Sequence, residues 1–399
     1  MAAEIISLDE ARARLLEGVA PLPSEQVAIG EAAGRVLAAD VVAVRNQPPT
    51  RVSAMDGYAV AEAVVGELLR VIGEAPAGAP FAGSVGPGEA VRIATGGVVP
   101  QGATRVVIQE HVARDGEEIR VEALSNGMHV RPAGGDFTAG QVVAKAGQVI
   151  TPGRLGLIAA TGCGTVTVAR RPRVAVMASG DELREPGAVM GADAIFNSGA
   201  YAIAALVEAW GGEALRLPIL PDDRAALDAA LAGADLNVDV IVPLGGASVG
   251  DRDQLRPAFE ALGAKILFDK VAVIPGKPTW AARFLDGRLL VGLPGNPASG
   301  FVCAHLFLKS LIAVLTGRDA GLRLRAARLA APIGANGARE AWLRARVEVD
   351  AAGQSLVTVE SRQDSSLTSV LAAADALVRR AVDAPALAAG EAVETLLIG

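Results

Sequence analysis

The chain has 399 residues, 51% of them hydrophobic, with a formal net charge of -7 and a pI near 5.2. That length and apolar content supply several cores in two to four domains, which excludes a disordered chain. The acidic balance excludes nucleic acid and anionic membranes as main partners, so any anionic ligand must be held by a local cluster of donors.

Cys163 and Cys303 show no metal-ligand spacing, and the opening MAAEIISLDE lacks the basic-then-apolar pattern of a leader, so a reducing cytoplasm is expected. Ser7 opens a helix, its hydroxyl placed for the Glu10 amide while Glu10 reaches back, and Leu8, Ala11, Leu15, Leu16 and Val19 follow at helical spacing until Pro21 and Pro23. From 27 to 44 a short helix and a β-rich run lead to RNQPPTRVSAMDGYAV at 45–60. There Asp56-Gly57 is either an ordinary turn or a turn that displays a carboxylate at its corner. Residues 70–150, rich in Gly and Val, predict β-structure with many turns. The run 90–94 stops at Thr95-Gly96-Gly97, which offers a hydroxyl and amides to an anion or merely shapes a turn. Arg131 and Asp136 bound another polar loop, RPAGGD. His111 and His129 are isolated and read as local structural residues. Thr151 caps a helix through 160, 164–169 is a strand, and Arg170-Arg171-Pro172 is a linker.

From Arg173 the pattern becomes alternating strand and helix, the signature of a parallel sheet. The strand 173–178 ends in Ser179-Gly180-Asp181-Glu182, and Asn197-Ser198 caps a helix to Trp210, closed by Gly211. The strand 215–220 ends in Pro221-Asp222-Asp223, where Asp222 either joins a site or caps the helix 225–231. The unbroken apolar run 239–244 ends at Gly245-Gly246, with a second glycine turn at Ser248-Val249-Gly250, then Asp251 and Asp253. Glycines let backbone amides approach an anion, and carboxylates beside a phosphate need a divalent cation between them, so this loop suggests phosphate with magnesium. The alternative is a tight turn in which Asp253 caps the helix 254–262. The carboxyl ends of successive strands in an open parallel sheet form the ligand crevice, so these loops are expected to converge.

The segment 265–274 leads to Pro275-Gly276-Lys277-Pro278, and a strand to 293 ends in Pro294-Gly295-Asn296-Pro297 before a helix from 298 to 315. His305 and Lys309 interrupt that apolar run, which reads as a buried helix rather than a membrane span. Five of the 37 basic residues are lysines, which singles out Lys270 and Lys277. At 341–349, Leu343, Ala345, Val347 and Val349 alternate with Arg344, Arg346 and Glu348, a half-buried strand with its charges outward. With 356–359 and 392–397 it suggests a small barrel or sandwich.

Taken together, SAMDGYAV at 53–60, RIATGGVVP at 92–100, SGDEL at 179–183, LGGASVGDRD at 244–253, PGKP at 275–278 and GLPGNPAS at 292–299 resemble, in order and spacing, the molybdopterin molybdenumtransferase family, MoeA and the E domain of gephyrin. The resemblance covers essentially the whole chain. It implies an α/β multidomain fold: interleaved helical and β-rich N-terminal regions over 1–169, a central doubly wound MogA-like α/β domain that binds molybdopterin over 170–321, and a C-terminal β-barrel over 322–399. The implied activity is a magnesium-dependent transfer of molybdate into adenylylated molybdopterin (molybdopterin-AMP), releasing AMP and molybdenum cofactor. The implied assembly is a homodimer, with the adenylyltransferase and acceptor molybdoenzymes as candidate partners.

Carried over by resemblance, Gly245, Gly246, Ser248 and Gly250 would hold the pterin phosphate. Asp253 would bind Mg2+ or polarise the reacting centre, and Glu182 with one of Asp222 or Asp223 would complete an acidic, metal-holding rim. Asp56 and Thr95 of one subunit would close the site on the other. Lys270 and Lys277 would neutralise molybdate and phosphate oxygens, while Arg131, Asp136, Pro294 and Asn296 would line the cleft. The chain departs from the family pattern at Ile274, Gly135 and Phe196, each of which removes charge or polarity from the expected pocket. Two rival readings are the adenylyltransferase step, because the central domain alone has that architecture, and a non-catalytic pterin-binding paralogue.

Overall fold

The computed structural model describes residues 5–233, 237–245, 254–351 and 353–398. They form two compact units, Gln26–Val168 and a larger one that joins Met1–Glu25 to Ala169–Gly399.

The smaller unit holds a six-stranded sheet ordered Arg105–Ile108, Gly57–Val60, Glu89–Ile93, Leu68–Ala75, Glu118–Val121 and Val112–Asp115. All its pairings are antiparallel except that between Leu68–Ala75 and Glu89–Ile93. Gly57 opens its strand because nothing larger fits: a Cβ there would lie 2.1 Å from the Val107 carbonyl oxygen. A second core of Leu37, Ile150, Ile158 and Val168 gathers beside the helix Pro152–Ala160, whose Thr151 cap accepts the Arg154 amide at 3.3 Å.

The larger unit begins with the helix Leu8–Leu16. The Ser7 hydroxyl accepts the Glu10 amide at 3.1 Å as expected, but the Glu10 carboxylate pairs with Arg14 one turn on. Gly18, at φ +68°, follows the helix end before either proline. Leu8, Ala11 and Leu15 are buried against Phe268 and Leu311, which ties these first residues to the central domain.

The central sheet runs Glu213–Arg216, Arg173–Ala178, Val240–Leu244, Leu289–Gly292, Trp280–Arg283, Lys265–Phe268. The first four strands are parallel and the last two turn back as an antiparallel edge. The strand expected at 215–220 is Glu213–Arg216 instead. Pro218 brings no amide to the ladder, which resumes only where Leu220 donates to Ala178 at 2.8 Å. The helix Pro297–Leu315, which passes through a π-turn at Ala304–Leu308, is long and apolar enough to cross a membrane by length and composition. It is instead the core helix of this domain, with Val302, Leu306, Phe307 and Leu311 all fully buried.

Beyond it, Glu340–Val349, Ser355–Val359, Leu324–Leu329, Ala392–Leu397 and Ala376–Arg380 pair in that order, and the last returns to the first to close a five-stranded barrel. Ile333, Leu343, Ala345, Val357 and Val378 belong to its core. The outward face of Glu340–Val349 was expected to meet solvent, but Trp342 and Arg344 are both fully buried. Trp342 joins the core of the central domain, and the loop after Val359 covers Arg344.

Candidate active site

The strand order places the reversal of winding between Arg173–Ala178 and Val240–Leu244, the position where open α/β sheets open a crevice for ligands. Three loops meet there. The Ser179 amide donates to the Leu244 carbonyl at 3.1 Å, and the Gly245 amide donates to the Leu293 carbonyl at 3.1 Å. Gly245 has φ +91°, and a Cβ on it would lie 3.0 Å from the Ser179 oxygen; a Cβ on Gly295 would lie 3.1 Å from the Gly245 Cα. Any side chain at 245 would therefore both strain the backbone and part the loops.

The acidic residues of this rim divide by role. Asp222 accepts the Ser179 hydroxyl at 3.0 Å on one oxygen and the Asp181 amide at 3.3 Å on the other, while its own amide donates to Asp181 Oδ1 at 3.3 Å. Asp223 accepts the Ala226 amide at 2.9 Å and so caps the helix Arg224–Gly233, whereas Asp222 is the one tied to the strand-end loop 179–181. Glu182 is exposed and its carboxylate folds over Gly180, where a Cβ would lie 2.6 Å from Oε2. Gly246, Ser248, Gly250, Asp251 and Asp253 lie outside the described residues.

The Pro275–Pro278 loop is held from below. Val273–Ile274 pairs parallel with the start of the barrel strand, Ile274 opposite Ala341, and the chain then turns through Gly276 at φ +123°. Ile274 is half-buried at this strand end. The Val271 amide donates to the Lys277 carbonyl at 3.0 Å, which closes the segment between Lys270 and Lys277. Lys277 is exposed and Lys270 half-buried.

Pro294 and Asn296 begin the core helix, and here the barrel enters the site. Asn296 Nδ2 donates to Ser365 Oγ at 3.1 Å, and the Ala298 amide donates to the Ser365 carbonyl at 3.0 Å. Two residues earlier, Gln363 Oε1 accepts the Arg344 amide at 3.0 Å and its Nε at 3.3 Å. Arg344 has no exposed surface, and its Nη2 finds no hydrogen-bond partner among the described residues. Burial lowers its pKa, with Asp364 and then Glu360 opposing. A buried cation with an unmet donor is costly unless an anion meets it. Alternation along the strand assigns Arg344 an outward position rather than a buried one, and Ser365 has no motif around it.

In the smaller unit, Asp56 and Thr95 come together although 39 residues separate them. The Thr95 amide and hydroxyl both donate to Asp56 Oδ1, at 2.6 and 2.9 Å. The amide first, then the hydroxyl, hold the Asp56 carboxyl below the usual carboxylate range, so this exposed corner stays anionic. Arg131 is exposed and pairs through its backbone with Val52, and the exposed Asp136 donates its amide to the Gln47 carbonyl at 2.9 Å. Gly135 is exposed in the same loop. Phe196, 44% exposed, sits opposite Arg184 in a short parallel pair just after Glu182.

A parallel sheet with its crevice at the winding reversal, strand-end loops that meet at Gly245 and Gly295, and a closed five-stranded barrel define a multidomain α/β protein. Its residues 175–313 match the probable molybdopterin binding domain, 6–162 match the MoeA N-terminal region (domain I and II), and 326–398 match the MoeA C-terminal region (domain IV). The molybdopterin molybdenumtransferase of Haemophilus influenzae is 35% identical over 319 residues, 79% of this chain and 78% of that one; the enzyme of that name from Nostoc is 36% identical over 308 residues, 75% and 71%. The crystal structure of the molybdopterin biosynthesis MoeA protein of Pyrococcus horikoshii, 27% identical, superposes with a TM-score of 0.82 over 99% of this chain and 100% of that one. The chain belongs to the MoeA family of molybdopterin molybdenumtransferases.

Proposed function

We propose that the chain inserts molybdate into adenylylated molybdopterin and releases AMP, in a magnesium-dependent step. The observation that carries this reading is the junction of the central rim with the C-terminal segment, where Asn296 bonds Ser365 in the strand-end loop whose Gly295 closes on Gly245. An oxyanion that approaches a phosphoric anhydride adds negative charge to negative charge, so the site must supply fixed cations and donors. Lys277 and Lys270 would supply charge, and Gly245 would supply backbone approach for the pterin phosphate.

Magnesium fits the donor chemistry. Among the described residues no three His, Cys, Asp or Glu side chains gather to hold a metal. Mg2+, however, commonly takes one or two carboxylates and completes its shell with water and phosphate oxygens. Asp253 and Glu182 would hold it, with Asp222 fixing the loop that leads to Glu182, and the ion would neutralise phosphate charge. Asp56, kept ionised by Thr95, would orient or accept a proton from the reacting group, and Arg131 and Asp136 would line its side of the cleft. We assign Asp56 to the partner subunit of a homodimer; mixing Asp56→Asn with Asp253→Asn subunits should restore activity that neither has alone.

The test is AMP release from molybdopterin-AMP with molybdate and Mg2+, coupled to activation of an acceptor apoenzyme. Release that depends on both ions supports the reading. Formation of the adenylate from molybdopterin and ATP would assign the chain to the preceding step, and pterin binding without AMP release would make it a non-catalytic paralogue.

A further inference from the structure

Lys277 occupies the corner of a four-residue turn, Gly276 to Thr279, in which the Thr279 amide donates to the Gly276 carbonyl at 3.0 Å. The Thr279 hydroxyl donates to the same oxygen at 2.7 Å and lies 3.1 Å from Cys303 Sγ. Thr279 has no exposed surface, and neither does Cys303. The thiol forms the floor of the turn: a Cβ on Gly276 would lie 2.1 Å from Sγ, and φ there is +123°. Burial pushes the thiol pKa up to about 12, so the floor is neutral and inert. Cys303 in turn stands on the helix Pro297–Cys303 that starts at Asn296. One buried hydroxyl thus ties the lysine turn to the helix that carries the other half of the rim.

We propose that Thr279 is a positioning residue for oxyanion use: its hydroxyl fixes the Gly276–Thr279 turn on Cys303 and thereby sets where the Lys277 amine stands. The proposal rests on the reading that Lys277 holds the oxyanion. A turn closed by its amide alone still forms, so the protein folds without the hydroxyl, but the corner gains freedom and the amine loses its preset place. A positioning role predicts a change in oxyanion affinity with little change in maximal rate, because the pterin phosphate is held elsewhere on the rim.

The experiment measures AMP release against molybdate concentration for wild type, Thr279→Val, Thr279→Ser, Lys277→Met and the double variant Thr279→Val/Lys277→Met. In parallel, protection of Lys277 from acetylation by molybdate alone is followed by mass spectrometry, which requires no turnover. Thr279→Val should raise the half-saturating molybdate concentration ~3- to 10-fold with kcat within about 2-fold, and weaken Lys277 protection in step. Thr279→Ser should restore both, and the double variant should be no worse than Lys277→Met. If Thr279→Val does not fold, Thr279→Ala carries the same expectation. Lys277→Met raising half-saturation while the Thr279 variants behave as wild type would overturn the positioning role and leave the lysine's role standing. Lys277→Met without effect would overturn both.

Discussion

Asp222 and Asp56 are two carboxylates bound in the same way by a hydroxyl and an amide from a neighbouring loop, yet they are left with different capacities. Asp222 spends one oxygen on the Ser179 hydroxyl and the other on the Asp181 amide. Asp56, at an exposed position, receives both Thr95 donors on Oδ1. The first arrangement ties two strand-end loops together; the second depresses a pKa and leaves Oδ2 without a hydrogen bond among the described residues. A carboxylate's place in a motif does not separate these roles, whereas the distribution of donors over its two oxygens does.

Neutralising each carboxylate in turn tests that difference. Asp56→Asn should lower turnover by on the order of 100-fold and leave the melting temperature within about 1 °C, because an exposed corner contributes chemistry rather than packing. A fall in melting temperature that accounts for the lost activity would reduce Asp56 to a turn former. Asp222→Ala should do the reverse: it strips the Ser179 hydroxyl and the Asp181 amide of their acceptor, so denaturant titration should show a loss of about 1 kcal/mol, with residual activity tracking the folded fraction. If Asp222→Ala abolishes Mg2+ dependence at unchanged stability, the carboxylate is a metal ligand first.

A buried histidine sets the pH window in which the two variants can be compared. His305 is buried between Trp210 and Phe301 with no hydrogen-bond partner on either ring nitrogen among the described residues, and burial, then Lys309, lower its pKa to about 3. Its folded pKa lies below the ordinary value of 6.5, so the unfolded chain takes the proton first. The stability from keeping it neutral is complete above about pH 6.5 and declines as pH falls toward 3, by up to ~1.4 kcal/mol per pH unit. Between pH 6.5 and 5 the wild type should therefore lose on the order of 2 kcal/mol by urea titration, and His305→Phe should flatten that slope. An equal slope in both proteins would remove His305 as its source.

The smallest expected effect is at Ile274. A lysine there would lie one residue from the Pro275–Pro278 turn and can extend past a half-buried strand end, at a stability cost of about 1 kcal/mol. Half-saturating molybdate should fall ~10-fold if its amine joins the Lys277 corner. A lower melting temperature with unchanged molybdate dependence would show that Ile274 only packs against the barrel.

The features legible in the sequence were those that a few neighbouring residues determine. Ser7, Thr151 and Asn197 announce helix starts because a cap binds an amide three residues on, and each does so. The glycine-ended strands announce a crevice because strand ends in a parallel sheet share one edge, and Ser179, Gly245 and Gly295 meet there. Other decisions needed partners far along the chain. Asp222 and Asp223 are adjacent and chemically alike, and only the position of Ser179, 43 residues earlier, separates a loop tie from a helix cap. Arg344 fits an outward position by alternation, but the other side of its strand is covered by the central domain and by Gln363, so a charge that alternation sends to water is enclosed. Ser365 reaches Asn296 across 69 residues, and Thr279 meets Cys303 across 24. Local chemistry chooses turns, caps and faces because their donors and acceptors are a few bonds apart; which face is covered, and which carboxylate oxygen remains open, depends on packing that no short window of sequence contains.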